Sequence, residues 1–345
     1  MKTCKLTGIR QMAMMDVPTP EIQNDTDVLI KMSCVGVCGS DVHYYESGQI
    51  GSQVVQHPFA VGHEGAGVVA AVGRSVTRVM AGSRIAIEPA MPCHQCDQCL
   101  AGRPHTCRKL RFLGCPGQTE GCLSEYLVMP ETSCFPIPDS MTFDEAALSE
   151  PLAIGIYAVK QSVSMKGAKI GILGSGPIGL SVLMPALAQG AAKIYVTDKI
   201  DARLAVARRA GATCTVNPLK EDIVQAITAD EPLLLDAVFE CAGEQDTVDQ
   251  ALALLKPGGK LILIGIPPTQ AKYGFSVDLM RRKEICIQNV RRQNHCCQAA
   301  LDMIRERIFD VNIMRTHRFN FNDTAAAFEL VANYRDGVVK AMINF

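Results

Sequence analysis

Four cysteines fall on one short loop in the pattern Cys93-x2-Cys96-x2-Cys99-x7-Cys107. Four thiolates so spaced can close a tetrahedron around Zn²⁺ with no position left open, which suits a structural site. Disulfides are the alternative reading, disfavoured by the tight spacing and by a reducing setting. Arg103, His105, Arg108, Lys109 and Arg111 surround the loop. They make a nucleic-acid-binding zinc ribbon conceivable, but a local solvated basic lobe is the simpler account.

A second set is dispersed. Cys38 lies in Gly36-Val-Cys-Gly-Ser-Asp-Val-His43, His63 and Glu64 in Gly62-His-Glu-Gly65, and Glu150 in Ser149-Glu-Pro-Leu152. Cysteine, histidine and carboxylate are the ligand types of a catalytic zinc that keeps one position open. Taken singly, each has a plainer explanation: a core thiol, a turn histidine, a solvated or helix-end carboxylate. Spacing alone leaves both readings standing.

The third chemical feature is Gly174-Ser-Gly176-Pro-Ile178-Gly179. The first glycine of such a motif makes the tight turn, the second lets backbone approach a pyrophosphate, and the third lets helix and strand pack closely. Asp198 follows about 20 residues on, where a carboxylate takes the ribose hydroxyls and repels a 2′-phosphate. NAD is therefore favoured over NADP, although Lys199 and Arg203 lie close by. A cofactor-free α/β turn is the competing reading.

The elements that would position these residues change character along the chain. Up to about Pro151, short apolar runs between turn residues read as strands: Val28 to Cys34, Gly67 to Val72, Arg84 to Ile87 and Glu125 to Val128. From about Gly155, strands (Lys169 to Leu173, Lys193 to Thr197, Leu235 to Phe239, Lys260 to Ile264) alternate with helices (to Gln189, Ala202 to Arg209, Thr247 to Leu255). That alternation means a parallel α/β sheet. The tail mixes a helix from Cys297 to Arg307 with short strands ending at Phe345. The uncharged stretch Ile170 to Ala188 is long enough to suggest a membrane span, but its glycines and prolines favour strand, turn and helix, with a kink predicted at Pro185.

The 345 residues suit two domains. With 48% hydrophobic and 20% charged residues the composition is globular. The net charge of −1 argues against a dedicated nucleic-acid or membrane-surface protein, and the absence of Trp argues against a stacking platform. Met1 to Arg10 has no apolar core of a secretory signal. Together with 15 cysteines this predicts a reducing, cytoplasmic setting.

Taken in order, these motifs resemble the zinc-dependent medium-chain dehydrogenases, and among them the sorbitol (polyol) dehydrogenase group. The resemblance runs from Gly36–Tyr44 through Val61–Glu64, Ala86–Pro89, the four-cysteine lobe, Glu150–Leu152, Gly174–Gly179 and Thr197-Asp198 to Glu240–Gly243 and Thr316–Phe319. It implies a β-rich, chaperonin-like catalytic domain (residues 1–152 and 289–345) with an inserted Rossmann domain (153–288), the two forming the walls of one cleft. It implies one catalytic and one structural Zn²⁺, NAD, no nucleic acid, no membrane, and a homo-oligomer, tetramer or dimer. The run Lys260 to Pro268 is a candidate strand for subunit pairing.

By the same resemblance Cys38, His63 and Glu64 bind the catalytic zinc, and Glu150 holds its water or ligates it. Asp41 orients His63 through its other ring nitrogen. Ser40 takes the substrate proton and His43 relays it. Tyr44, Glu150, Arg292 and Gln293 face the substrate. Ile178 lies along the pyrophosphate, Asp198 and Arg203 at the adenosine ribose, and Ile264, Ile266, Val290 and Arg292 along the nicotinamide half. The implied reaction is hydride transfer between the secondary alcohol of a polyol or sugar derivative and NAD. Threonine or simple alcohol oxidation is the alternative, and a non-catalytic zinc- and nucleotide-binding protein a more distant one.

One departure stands out. Where the group carries an aromatic, an Arg and a second aromatic, this chain has Arg291-Arg292-Gln293. Paired guanidinium groups suit a carboxylate or phosphate, which extends the candidate substrates to sugar acids and sugar phosphates. A solvent-facing or interface role for Arg291 is the alternative.

Overall fold

The computed structural model describes residues 1–268 and 271–345. The chain forms two compact units: residues 1–150, 297–307 and 315–345, and residues 151–296 and 308–314. The segment 289–296, expected with the first, packs with the second, because Val290 continues the parallel sheet by hydrogen-bonding to Leu263 at 2.9 Å.

In the first unit the strand Asp27–Gly36 is central. It pairs antiparallel with Glu64–Val72, Tyr126–Pro130 and Lys340–Asn344. Its residues Val28, Ile30, Met32 and Cys34 are buried, the period of two that one core-facing sheet surface requires. The register sets Gly36 opposite Glu64 on one side and opposite Met342 on the other. Three separate stretches of sequence meet there.

The helix Phe143–Gln161 was not legible as a periodic stripe, because most of its surface is buried and Pro151 interrupts its interior. Its start has a recognisable signal. Thr142 Oγ1 accepts from the Glu145 amide (3.2 Å) and Glu145 Oε2 accepts from the Thr142 amide (2.8 Å), a reciprocal cap. Asp144 ties this first turn to the sheet, accepting from Arg315 (2.9 Å), Arg318 Nε (2.8 Å), Asn344 (3.1 Å) and the Cys34 thiol (3.1 Å). Burial pushes the Asp144 carboxyl up, but the bonds from Arg318, Cys34 and Asn344 outweigh it and hold it below the usual range. Glu150 is thereby fixed two turns further along.

The second unit is a six-stranded parallel sheet. In chain order its strands are Lys169–Leu173, Lys193–Thr197, Cys214–Val216, Leu235–Glu240, Leu255–Leu263 and Cys286–Asn289. Their spatial order is 3-2-1-4-5-6, the doubly wound dinucleotide-binding arrangement. Lys260 to Leu263 pair on both sides and so offer no free edge; the sheet ends at Cys286–Asn289. Pro185 sits inside one continuous helix, Pro177–Ala188. It cannot donate to the Ser181 carbonyl, and a Cβ at Gly155 would lie 1.9 Å from that oxygen, so the glycine is required for the close approach. Among the described residues no helix is long and apolar enough to cross a membrane.

Candidate metal centres and nucleotide site

Cys38 caps the helix Gly39–Ser47 with extended backbone (φ −91°, ψ 149°). The ligand atoms of Cys38, His63 and Glu64 all lie within 4.8 Å of one another, and His63 and Glu64 are buried. Asp41 Oδ1 stands 3.3 Å from His63 Nδ1 and also accepts from the Gly62 amide at 3.1 Å. That leaves Nε2 as the ring nitrogen able to ligate. Burial works against a charge on His63, but Asp41 and Cys38 overcome it and raise its pKa well above the usual value. The Phe112 ring, 5.3 Å away between centroids, packs against the imidazole.

Glu150 is 7% exposed, and its Oε2 has no hydrogen-bond partner among the described residues. Burial pushes its carboxyl up to about 8, with Glu64 and Glu88 adding to the rise and His63 and Lys340 opposing it. An orphaned buried oxygen on a carboxyl that feels the charges of His63 and Glu64 is what a cation, or water held by one, would satisfy. The donor set fits a zinc ion with an open position.

Lys340 was not anticipated. It is 1% exposed, and its Nζ donates to both Glu64 oxygens, at 2.6 and 2.7 Å, and to the Val37 carbonyl at 3.1 Å. Burial disfavours the ammonium, but Glu64, Cys38 and Glu150 hold its pKa above the ordinary lysine value. A signal was present: a single lysine interrupts the apolar run Val338-Val-Lys-Ala-Met-Ile343.

The second metal set is complete in itself. The sulfurs of Cys96 and Cys99, Cys96 and Cys107, and Cys107 and Cys93 are 3.6, 3.8 and 3.4 Å apart. A tetrahedron with Zn–S bonds of about 2.3 Å has edges of about 3.8 Å, whereas a disulfide needs about 2.05 Å. Backbone hydrogen bonds at Cys99 and Arg108 pull the Cys96 thiol down to about 6, while burial and the neighbouring thiols push Cys99 up to about 12. Arg108 pairs with Asp97 (Nη2 to Oδ2, 2.8 Å), so one of the basic residues around the loop is internally matched.

In the parallel sheet, Gly174 turns the chain at φ +106° directly after the first strand. A Cβ on Gly179 would lie 1.9 Å from the Gly174 carbonyl, whereas one on Gly176 meets nothing closer than Arg203 at 3.7 Å. Close packing and open room therefore fall where a pyrophosphate cradle needs them. Asp198 accepts from the Ser175 amide (2.8 Å) and the Ile200 amide (2.8 Å), which aims its carboxylate beside the glycine turn. Ile264 and Gly265 follow the fifth strand and donate to the Glu240 carbonyl at 2.9 and 3.0 Å.

Comparison with known proteins agrees with this geometry. The profile of the alcohol dehydrogenase GroES-like domain matches residues 24–139, and that of the zinc-binding dehydrogenases matches residues 177–306. A sorbitol dehydrogenase of Bacillus subtilis is 36% identical over 344 residues, 99% of this chain and 97% of its own. The chain belongs to the zinc-dependent medium-chain dehydrogenases, in their sorbitol (polyol) dehydrogenase group. An L-idonate 5-dehydrogenase of Vitis vinifera is 33% identical over 98% of this chain and 93% of its own. A zinc-binding dehydrogenase of Sinorhizobium meliloti, solved with NADP, superposes with a TM-score of 0.91 at 28% identity, covering 100% of this chain and 99% of that one. Zinc and a pyridine nucleotide are the cofactors of this medium-chain dehydrogenase.

The remaining expected residues of the dehydrogenase are distributed as follows. Ser40 donates to Cys38 Sγ at 3.3 Å. His43, one turn further along the same helix, has a pKa lowered by burial. The Tyr44 hydroxyl donates to Gln53 Oε1 at 3.1 Å, and the Gln53 amide in turn meets Cys115 Sγ at 2.7 Å. Gln53 and Cys115 were not singled out from sequence. Arg292 takes a left-handed backbone (φ +54°) and Arg291 is exposed. Gln293 Oε1 accepts from the Cys296 amide at 2.7 Å, capping the turn into the helix Cys297–Arg305. Cys296, unexplained from sequence, is fully buried there, with Lys160 Nζ 3.5 Å from its sulfur.

Proposed function

We propose that the chain is an NAD-dependent dehydrogenase of polyols or their sugar-acid derivatives, with one catalytic and one structural zinc. The observation that carries the reading is the convergence of Cys38, half-buried, with the buried His63 and Glu64, together with a buried Glu150 oxygen that has no partner among the described residues and whose carboxyl feels the charges of His63 and Glu64. The substrate class follows the names of the relatives, a sorbitol and an L-idonate dehydrogenase. When bound, zinc supplies Lewis acidity that eases loss of the alcohol proton, and the nicotinamide supplies the hydride acceptor.

The chain's own residues do the rest. Cys38, His63 and Glu64 fix the metal's position, and Asp41 holds the His63 ring. Glu150, whose carboxyl is pushed up by burial, can take or give a proton at its free oxygen. Ser40 and His43 lie three apart on one helix and so share a face. Ser40 takes the substrate proton, and His43, neutral at pH 7, passes it outward. Tyr44, held by Gln53, lines the substrate side; Arg292 and Gln293 are the substrate-facing candidates of the second unit. Ile178, Arg203, Ile266 and Val290 line the nucleotide.

The preference for NAD is supported by charge. Lys199 pairs with Glu244 at 2.6 Å and is neutralised, which leaves Asp198 to face a 2′-phosphate. None of the 15 cysteines is in a disulfide, which supports a reducing cytoplasm. The unpaired edge Cys286–Asn289 supports association into a dimer or tetramer.

A panel of sorbitol, xylitol, aldonates, polyol phosphates, threonine and ethanol, read by nicotinamide absorbance with NAD and with NADP, tests the reading. Turnover of polyols or aldonates with NAD is the expected result. Asp198→Ala should raise the KM for NAD roughly tenfold, the loss of a charged hydrogen bond of about 1.5 kcal/mol. Preference for NADP, or turnover of ethanol or threonine alone, would overturn it.

A further inference from the structure

Glu64 is claimed twice. It belongs to the donor set for zinc, and both its oxygens are already held by Lys340. The arrangement is built by the sheet. Gly36 lies between Glu64 on one neighbouring strand and Met342 on the other. A Cβ at position 36 would stand 2.2 Å from Glu64 Oε2, so the carboxylate lies over bare backbone. Lys340, two residues before Met342 and therefore on the same face of its strand, reaches across to meet it. The Val37 carbonyl takes a further ammonium proton at 3.1 Å.

We propose that Lys340 is a positioning residue that shares Glu64 with the catalytic zinc and keeps Glu64 an exchangeable ligand. This rests on the reading that Cys38, His63 and Glu64 hold that zinc. A carboxylate offers about four lone-pair sites. An ammonium bound to both oxygens occupies the inward pair, and one outward pair is left for a metal. The ammonium also offsets one of the two negative charges, on Cys38 and Glu64, that would attract the cation. In a site where Glu64 and Lys340 are each 1% exposed, water screens that offset little. The metal is then held more loosely, and the donors send it less charge, which leaves it a stronger Lewis acid. A lysine that merely props Glu64 in place predicts the opposite, tighter holding with the lysine than without it.

The sign of one measurement separates the two. Zinc release from the holoenzyme into excess chelator, followed with a metallochromic dye, should show two pools. Cys38→Ser should abolish the catalytic pool and leave that of the cysteine lobe as an internal reference. In Lys340→Met the catalytic pool should be released roughly tenfold more slowly, the scale of effect typical for partners of metal ligands, with the lobe pool unchanged. The slowing should vanish in a Glu64→Gln background. Lys340→Gln, which keeps a hydrogen-bond donor but no charge, should slow release in the same direction and serves if the methionine variant does not fold. Faster or unchanged release from the catalytic pool in these variants would overturn the proposal. If Cys38→Ser leaves both pools intact, the metal assignment fails instead, a result distinct from either rate.

Discussion

The two metal-ligand clusters are built in opposite ways. The lobe takes its four sulfurs from one loop between Cys93 and Cys107; three of them are half-buried and Cys107 is buried. The other cluster draws Cys38 from a helix start, His63 and Glu64 from the entry to one strand, Glu150 from a long helix and Lys340 from the last strand. On the proposed reading the lobe would surround a metal with four like ligands and leave no position for a substrate. The dispersed set mixes sulfur, nitrogen and oxygen, includes a buried acid and a buried ammonium, and leaves one carboxylate oxygen without a partner among the described residues. A site assembled from distant segments can tune each donor separately, which a single loop of identical donors cannot do.

That contrast predicts different damage. Cys38→Ser should lower turnover by at least about 1000-fold, the loss of several kcal/mol of charge stabilisation, while nucleotide binding by fluorescence titration stays intact. Full activity in that variant after metal removal would break the contrast at its strongest point. Glu150→Gln should cost about 10–100-fold in kcat/KM with both zinc ions retained; an unchanged rate would remove Glu150 from the chemistry. Cys96→Ala should act mainly on stability. Loss of about 2 kcal/mol would lower the thermal midpoint by roughly 4–8 °C, with most of kcat kept and one zinc missing by metal analysis.

The smallest effect concerns pH. Glu150 keeps its proton when folded up to about 8, against 4.5 for an ordinary glutamate. Between those values the folded, metal-stripped chain binds a proton that the unfolded chain releases. Its stability should therefore fall as pH rises through that window. Denaturant melts of the stripped protein at several pH values check the slope, and Glu150→Gln should flatten it.

Legibility followed the same divide. The lobe could be read from spacing alone, because its geometry is local. The parallel sheet could be read from alternating strands and helices, and its four longest strands lie within a residue or a few of their expected positions. The helix Gly39–Ser47 and the helix Phe143–Gln161 went unassigned. In the first, a chemical motif masks a short helix. In the second, burial on most sides erases the stripe that periodicity detects, although the Thr142–Glu145 cap was present. Lys340 escaped because its partner Glu64 is far off in sequence, and only strand register brings Lys340 over Gly36. The first half of the Lys260–Pro268 run, Lys260 to Leu263, is apolar because it is an interior strand paired on both sides, and the rest lies beyond the strand's end.

The anchors of Asp144 and the partner of Glu64 share one property. Arg315, Arg318, Lys340 and Asn344 all come from the final stretch of the chain. On the ribosome, Cys38, His63, Glu64 and Glu150 emerge long before the residues that hold them in register. The cysteine lobe is ready for metal as soon as its own loop is made. The dispersed set, by contrast, reaches its final form only once the strand Lys340–Asn344 has paired with Asp27–Gly36.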